Sequence, residues 1–205
     1  MNTIAEQPSA KSRGQLKLWG LILIAATPIV AAAIMYFGQI GLPSSTTNHG
    51  QLILPPLQGK DWGLADIVKT DGFIQYDGKT KWVMLVVGDG ACAELCQQQL
   101  YLTRQLNIAL GKEVDRVTRL LWADAHTQGL DAALKEHNLL QVEPFDDGRF
   151  KGLAEALKRH GIVLAPYDIL LMDPLGNIMM HYNQNNNGKD ILDDLKRLLK
   201  VSKIG

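Results

Sequence analysis

The chain holds two cysteines, Cys92 and Cys96, in a Cys-x-x-x-Cys pair. Residues at this spacing share one face of a helix. Their sulfurs can therefore meet as a disulfide or as two thiolates on one metal. A helix start offers unpaired N–H groups and a partial positive charge, which favours thiolate over thiol. Glu94 lies between the two and acts in the opposite sense. A thiolate pair is a soft ligand set and suits Cu(I) better than hard cations. The same pair also reads as a static disulfide or as two inert core residues.

The elements on either side decide how such sulfurs would be presented. Trp82-Val83-Met84-Leu85-Val86-Val87 is a short apolar run with an aromatic at its head, the composition of a buried strand. Gly88 and Gly90 break it and turn the chain. A helix is expected from about Ala93 to about Leu110, with Leu100, Leu102, Leu106 and Leu110 available for packing.

Further along, Arg116 to Ala123 reads as a second strand that ends at Asp124, and Gly129 to Leu139 as a helix. Phe150 to His160 is another helix, stopped by Gly161. Ile169 to Met172 and Ile178 to Tyr182 pair across the turn Asp173-Pro174-Leu175-Gly176-Asn177. Lys189 to Lys200 closes the chain as an amphipathic helix with Ile191, Leu192, Leu195, Leu198 and Leu199 on its apolar side. Gln51 to Asp77 is read as short irregular or hairpin strands, because Pro55-Pro56 bars a regular helix, and Asp77-Gly78 as a turn. The polar stretch from Asn183 to Gly188 is a loop. The predicted class is α/β: a thioredoxin-like sandwich, a central mixed sheet covered by helices.

Leu18 to Phe37 contains no charged residue and matches the roughly 20 residues that span a bilayer. Lys11, Arg13 and Lys17 precede it, and the next Lys or Arg is Lys60. That asymmetry keeps the N-terminus cytoplasmic and exports the rest. A cleaved signal peptide ending at Ala31-Ala32-Ala33 is the rival reading. The apolar run continues through Ile34, Met35, Tyr36 and Phe37, which favours an uncleaved transmembrane helix. The expected organisation is residues 1–17 cytoplasmic, 18–37 in the membrane, 38–50 a linker and 51–205 one domain. Export permits a lasting disulfide. Formal net charge is zero and no basic stripe is present, which argues against nucleic acid as a partner. Phosphate-loop, nucleophile-elbow and zinc-helix motifs are absent.

Several segments resemble the Sco/SenC family, membrane-anchored thioredoxin-like proteins that deliver copper to cytochrome c oxidase. They are the cysteine spacing, Gly78-Lys79 through Gly88, Leu121-Trp122-Ala123-Asp124 with the helix after it, and Leu171-Met172-Asp173-Pro174-Leu175-Gly176. Gly161-Ile162-Val163-Leu164-Ala165-Pro166 resembles the thioredoxin segment that leads to a cis-proline facing the cysteines, which makes Pro166 the cis-proline. The resemblance implies Cys92 and Cys96 as redox or Cu(I)-binding residues, with Cys92 the attacking sulfur. It implies a respiratory oxidase subunit or another assembly factor as partner, and a bacterial inner membrane with the domain in the periplasm. It describes an assembly factor more than a metabolic enzyme. Where the family has proline after its cysteines this chain has Ala93 and Gln97, and Ala165 stands at the family's histidine ligand position. His126, His137, His160 and His181 are then the histidines that could complete a metal site. His160 and His181 are the better placed, beside the Pro166 loop and on the hairpin. Asp124 could orient a thiol or water, or cap the next helix. Met179-Met180 reads as core packing rather than as soft ligands. The alternative to redox work is a non-catalytic scaffold with a structural disulfide.

Overall fold

The uncharged run from Leu18 to Phe37, with the basic segment before it, forms one long helix at the start of the chain, α1 (Ala10–Gly38), with Pro28 inside it. Its stretch Lys17–Gly38, 22 residues, is long and apolar enough to cross a membrane. The computed structural model describes residues 10–38, 47–64, 81–88, 90–124, 127–137, 139–144 and 147–202. The chain divides into Met1–Thr47 and Asn48–Gly205. The turn expected at Asp77-Gly78, the Gly78-Lys79 segment and His126 lie outside the described residues.

The second unit contains one six-stranded sheet. Its strands are β1 (Gln51–Gln58), β2 (Trp82–Val87), β3 (Val117–Ala123), β4 (Leu140–Pro144), β5 (Ile169–Met172) and β6 (Asn177–Tyr182). They lie in the order β1-β6-β5-β2-β3-β4. β2, β3 and β4 run parallel, whereas β5 is antiparallel to β2, β6 to β5 and β1 to β6. The helices are α2 (Glu94–Ala109), α3 (Leu130–Glu136), α4 (Asp147–Arg159) and α5 (Gly188–Val201).

Every residue of β2 is buried because the sheet is covered on both sides. Met84, Val86, Leu121 and Ala123 face a core completed by Leu100 and Leu106 of α2 and Leu195 and Leu199 of α5. Val83, Leu85, Leu120 and Trp122 face a second core closed by Leu153 and Leu157 of α4. A fully buried side chain of this size contributes about 1.5–3 kcal/mol, so each face alone supplies much of the folding free energy. Both cysteines belong to the first core.

Two elements add to the sequence expectation. β4 is an added edge strand, paired with β3 from Arg119↔Leu140 to Ala123↔Pro144. β1 keeps Pro55-Pro56 inside a strand that has a cis Leu54–Pro55 bond and a register irregularity between Leu52 and Leu57. Prolines are tolerated there because β1 is an edge strand. The entry of β1 is held by Asp194 of α5, whose buried carboxylate accepts the N–H groups of His49 and Gly50 at 2.8 and 2.9 Å. The same oxygen accepts the Tyr182 hydroxyl at 3.2 Å.

Candidate functional site

The end of β2 needs an immediate change of direction and a close neighbour, and Gly88 provides both. Its N–H donates to Trp122 O at 2.7 Å, and a Cβ at that position would lie 2.8 Å from the Ala123 Cβ. The chain then rises over the end of the sheet to Cys92. Cys92 and Cys96 are joined by a disulfide with Cα atoms 4.9 Å apart.

The sulfurs do not both sit on helical residues one turn apart, as the spacing alone suggests. Cys92 precedes the helix, Ala93 is its N-cap and Cys96 lies in its first turn. The N-cap carries no side-chain hydrogen bond, so the first N–H groups of α2 lack a capping side chain. On reduction they would stabilise a thiolate at Cys92 or Cys96. Glu94, also in the first turn, stays exposed and bonds Gln98 Nε2 at 3.1 Å.

Three loops build the site. The first carries Cys92. The second runs from β3 to α3: Cys92 N–H donates to Gln128 O at 2.8 Å. A Cβ on Gly129, which has a φ of 81°, would stand 2.9 Å from Cys92 O, so glycine is what lets this loop pass. The third precedes β5. The site thus lies at the carboxyl ends of β2 and β3, where open α/β sheets place their chemistry.

The third loop corrects a sequence expectation. Ala165–Pro166 is not a cis bond; among the described residues the cis peptide is Leu54–Pro55. Asp168 N–H donates to Ala165 O at 3.2 Å, and Tyr167 has a φ of 63°. Proline second and a positive φ third is the type II turn, which accepts a trans proline at its second position. Pro166 itself is exposed.

Sequence reasoning passed over Tyr167. It is 4% exposed. Its hydroxyl donates to Ala91 O at 2.6 Å, with Gly90 O at 3.0 Å, and its N–H donates to Val87 O at 2.7 Å. Positive φ is unfavourable for a residue with a side chain. These bonds hold it there and tie the third loop to the residue before Cys92.

The other expected residues are engaged elsewhere. His181 is 4% exposed, and its Nε2 lies 2.7 Å from Asp168 Oδ2. That same oxygen accepts Ala165 N–H at 2.9 Å, while Asp168 Oδ1 is buried without a partner. His160 follows α4, with Nδ1 3.0 Å from Ala156 O. Asp124 is exposed, its carbonyl accepts Thr127 N–H at 3.0 Å, and the N-cap of α3 is Gly129, not Asp124. Met180 is core, its sulfur accepting the Tyr182 hydroxyl at 2.9 Å. Cys92, expected to be the attacking sulfur, is 3% accessible, and Cys96 is fully buried. Cys92 remains the outer sulfur of the two.

A family model described as the C-terminal domain of a transmembrane-like, thioredoxin-like family matches residues 82–202. The corresponding transmembrane-like N-terminal domain model matches residues 8–39. No curated protein matches the chain. Among solved structures, the chain is similar to yeast Sco1 with copper bound, at 17% identity over 60% of this chain and 81% of that one, with a TM-score of 0.49. It is similar to a thiol:disulfide interchange protein from Bacteroides sp., at 15% identity over 75% and 91%, TM-score 0.44. A third is Arabidopsis thaliana ScoI with copper bound, at 19% identity over 60% and 86%, TM-score 0.47.

Proposed function

The chain belongs to the transmembrane-like, thioredoxin-like family, and from that membership we propose a membrane-anchored thiol–disulfide exchange protein whose working pair is Cys92 and Cys96. The observation that carries this is the disulfide at an uncapped helix N-terminus, under loops that meet at the strand ends. A partner thiolate attacks Cys92 Sγ, the Cys92–Cys96 bond breaks, and Cys96 leaves as thiolate. A second thiolate of the partner then attacks the partner's own sulfur in the mixed disulfide and releases Cys92. The partner departs with a new disulfide and the pair is left as a dithiol, two electrons having moved.

The setting we propose is respiratory oxidase assembly, on the exported, periplasmic side of a bacterial inner membrane. It is supported by the Sco-like segments Leu121–Asp124 and Leu171–Gly176, the cysteine spacing and the apolar helix Lys17–Gly38. A respiratory oxidase subunit or another assembly factor is the proposed partner. The reduced thiolates are a soft donor pair for Cu(I). Among the described residues no third His, Cys, Asp or Glu joins them. The residues present therefore do not fit a three-ligand copper centre, and exchange needs the two sulfurs alone.

A second reading, a scaffold with a structural disulfide, is favoured by the burial of both sulfurs. One experiment separates the two: equilibration of the full chain in detergent micelles with thiol redox buffers, beside a Cu(I) competition titration. A potential between roughly −120 and −270 mV supports exchange, and one well below about −300 mV supports the scaffold. Tight binding of Cu(I), lost in Cys92→Ser, would restore the copper reading. Normal oxidase activity in cells carrying Cys92→Ser or Cys96→Ser would overturn the exchange role.

A further inference from the structure

The first face of the sheet carries a charge that the disulfide site does not use. Arg119 lies within β3 and is 4% exposed. A guanidinium keeps its proton in proteins, so this is a buried cation, and buried cations ordinarily have an anionic partner. Arg119 Nη1 reaches Leu100 O at a long 3.4 Å. That carbonyl already accepts the Thr103 hydroxyl at 3.1 Å. Among the described residues no carboxylate pairs with Arg119, and the charge that acts on it is Arg104, of the same sign.

Two more donors lie beside it: Arg119 pairs with Leu140 across β3 and β4, Leu140 N–H donates to His137 O at 2.8 Å, and Arg104 reaches the residue before His137. His137 ends α3, is 5% exposed, and its Nδ1 is buried with no partner. Burial, and after it the charges of Arg119 and Arg104, keep its imidazole below the usual histidine range. The neutral ring still has one N–H to give. Arg104 of α2 donates one Nη1 bond to Glu136 O at 3.2 Å and has further N–H groups at the exposed rim. The Glu136 side chain, the acidic group that acts on His137, is exposed.

We propose that Arg119, His137 and Arg104 form a binding site for one small oxyanion, a carboxylate or phosphate group seated between α2, β3 and the end of α3. Both groups present paired oxygens, which the guanidinium fork matches. The site is separate from the disulfide and independent of exchange chemistry.

The test is thermal unfolding of the full chain in detergent micelles with sodium acetate or sodium phosphate replacing sodium chloride at constant ionic strength. Wild type should gain Tm along a saturating curve. Acetate alone acting would assign a carboxylate ligand, and phosphate alone a phosphate. In Arg119→Met the gain should vanish, while Tm in chloride alone should equal or exceed wild type, because an unpaired buried charge has been removed. His137→Gln should fold and need several-fold more anion, which keeps the test open if the methionine variant does not fold. No dependence in wild type up to roughly 50 mM anion would overturn the proposal. So would an equal gain in Arg119→Met, or an unchanged anion requirement in His137→Gln.

Discussion

Tyr167→Phe removes one oxygen and leaves the shape of the side chain unchanged. The lost hydroxyl donates to Ala91 O at 2.6 Å, next to Cys92, and also approaches Gly90 O. One net neutral hydrogen bond is worth about 1 kcal/mol. Ala91 is exposed, so water can replace part of it and this is an upper figure. The hydroxyl and the disulfide fix the same loop, so the loss falls mainly on the oxidised form. The dithiol becomes relatively more favourable and the potential moves toward less negative values. For a two-electron couple, about 1 kcal/mol is roughly 20 mV. The assay is equilibration of wild type and variant in dithiothreitol redox buffers, acid quenching, and counting of thiols by mass after alkylation. An unchanged potential, with Tm lowered equally in oxidised and reduced protein, would refute the reasoning and make Tyr167 a fold residue only.

Gly129→Ala forces a Cβ to 2.9 Å from Cys92 O at a φ of 81°. It should cost about 1–3 kcal/mol in oxidised protein, read as a lower urea midpoint. Asp168→Asn breaks a buried pair and should cost about 3 kcal/mol; a double-mutant cycle with His181→Gln should show that most of this is coupling between the two. Burial and Asp194 push the Tyr182 phenol well above its usual range. The unfolded state ionises above pH ~10 while the folded state holds its proton, so stability should fall as pH rises past that point. Alkaline denaturation of wild type against Tyr182→Phe measures the difference, and identical slopes would contradict it.

Much of the fold was legible because its signals are local. The apolar run Trp82–Val87, the turn Asp173–Asn177 and the leucines of α5 each carry their own pattern, and each stands where that pattern put it. β4 was overlooked although Leu140-Gln141-Val142-Glu143 alternates as a half-buried edge strand should, because five residues ending in Pro144 compete poorly with a neighbouring helix. The disulfide partners were legible, but their burial was not. Burial arises from loops brought in by residues far along the chain. Pro166 was misread for a related reason: its turn is decided by the Tyr167 backbone and the Asp168 carboxylate. His181 reads as a free ligand until the fold supplies Asp168. Residue type shows what a side chain can do, and only the fold shows what already occupies it.

The grip of Asp194 on His49 and Gly50 has a mechanical meaning. The chain enters the sheet at β1, an edge strand, and the His49 and Gly50 N–H groups just before it are held by α5. A pull on the chain from the N-terminal side of His49 is therefore applied to that edge and to α5. β6 and β5 stand between β1 and β2 in the sheet, but α5 shares one core with both cysteines, so the short load path to the sulfurs runs through α5.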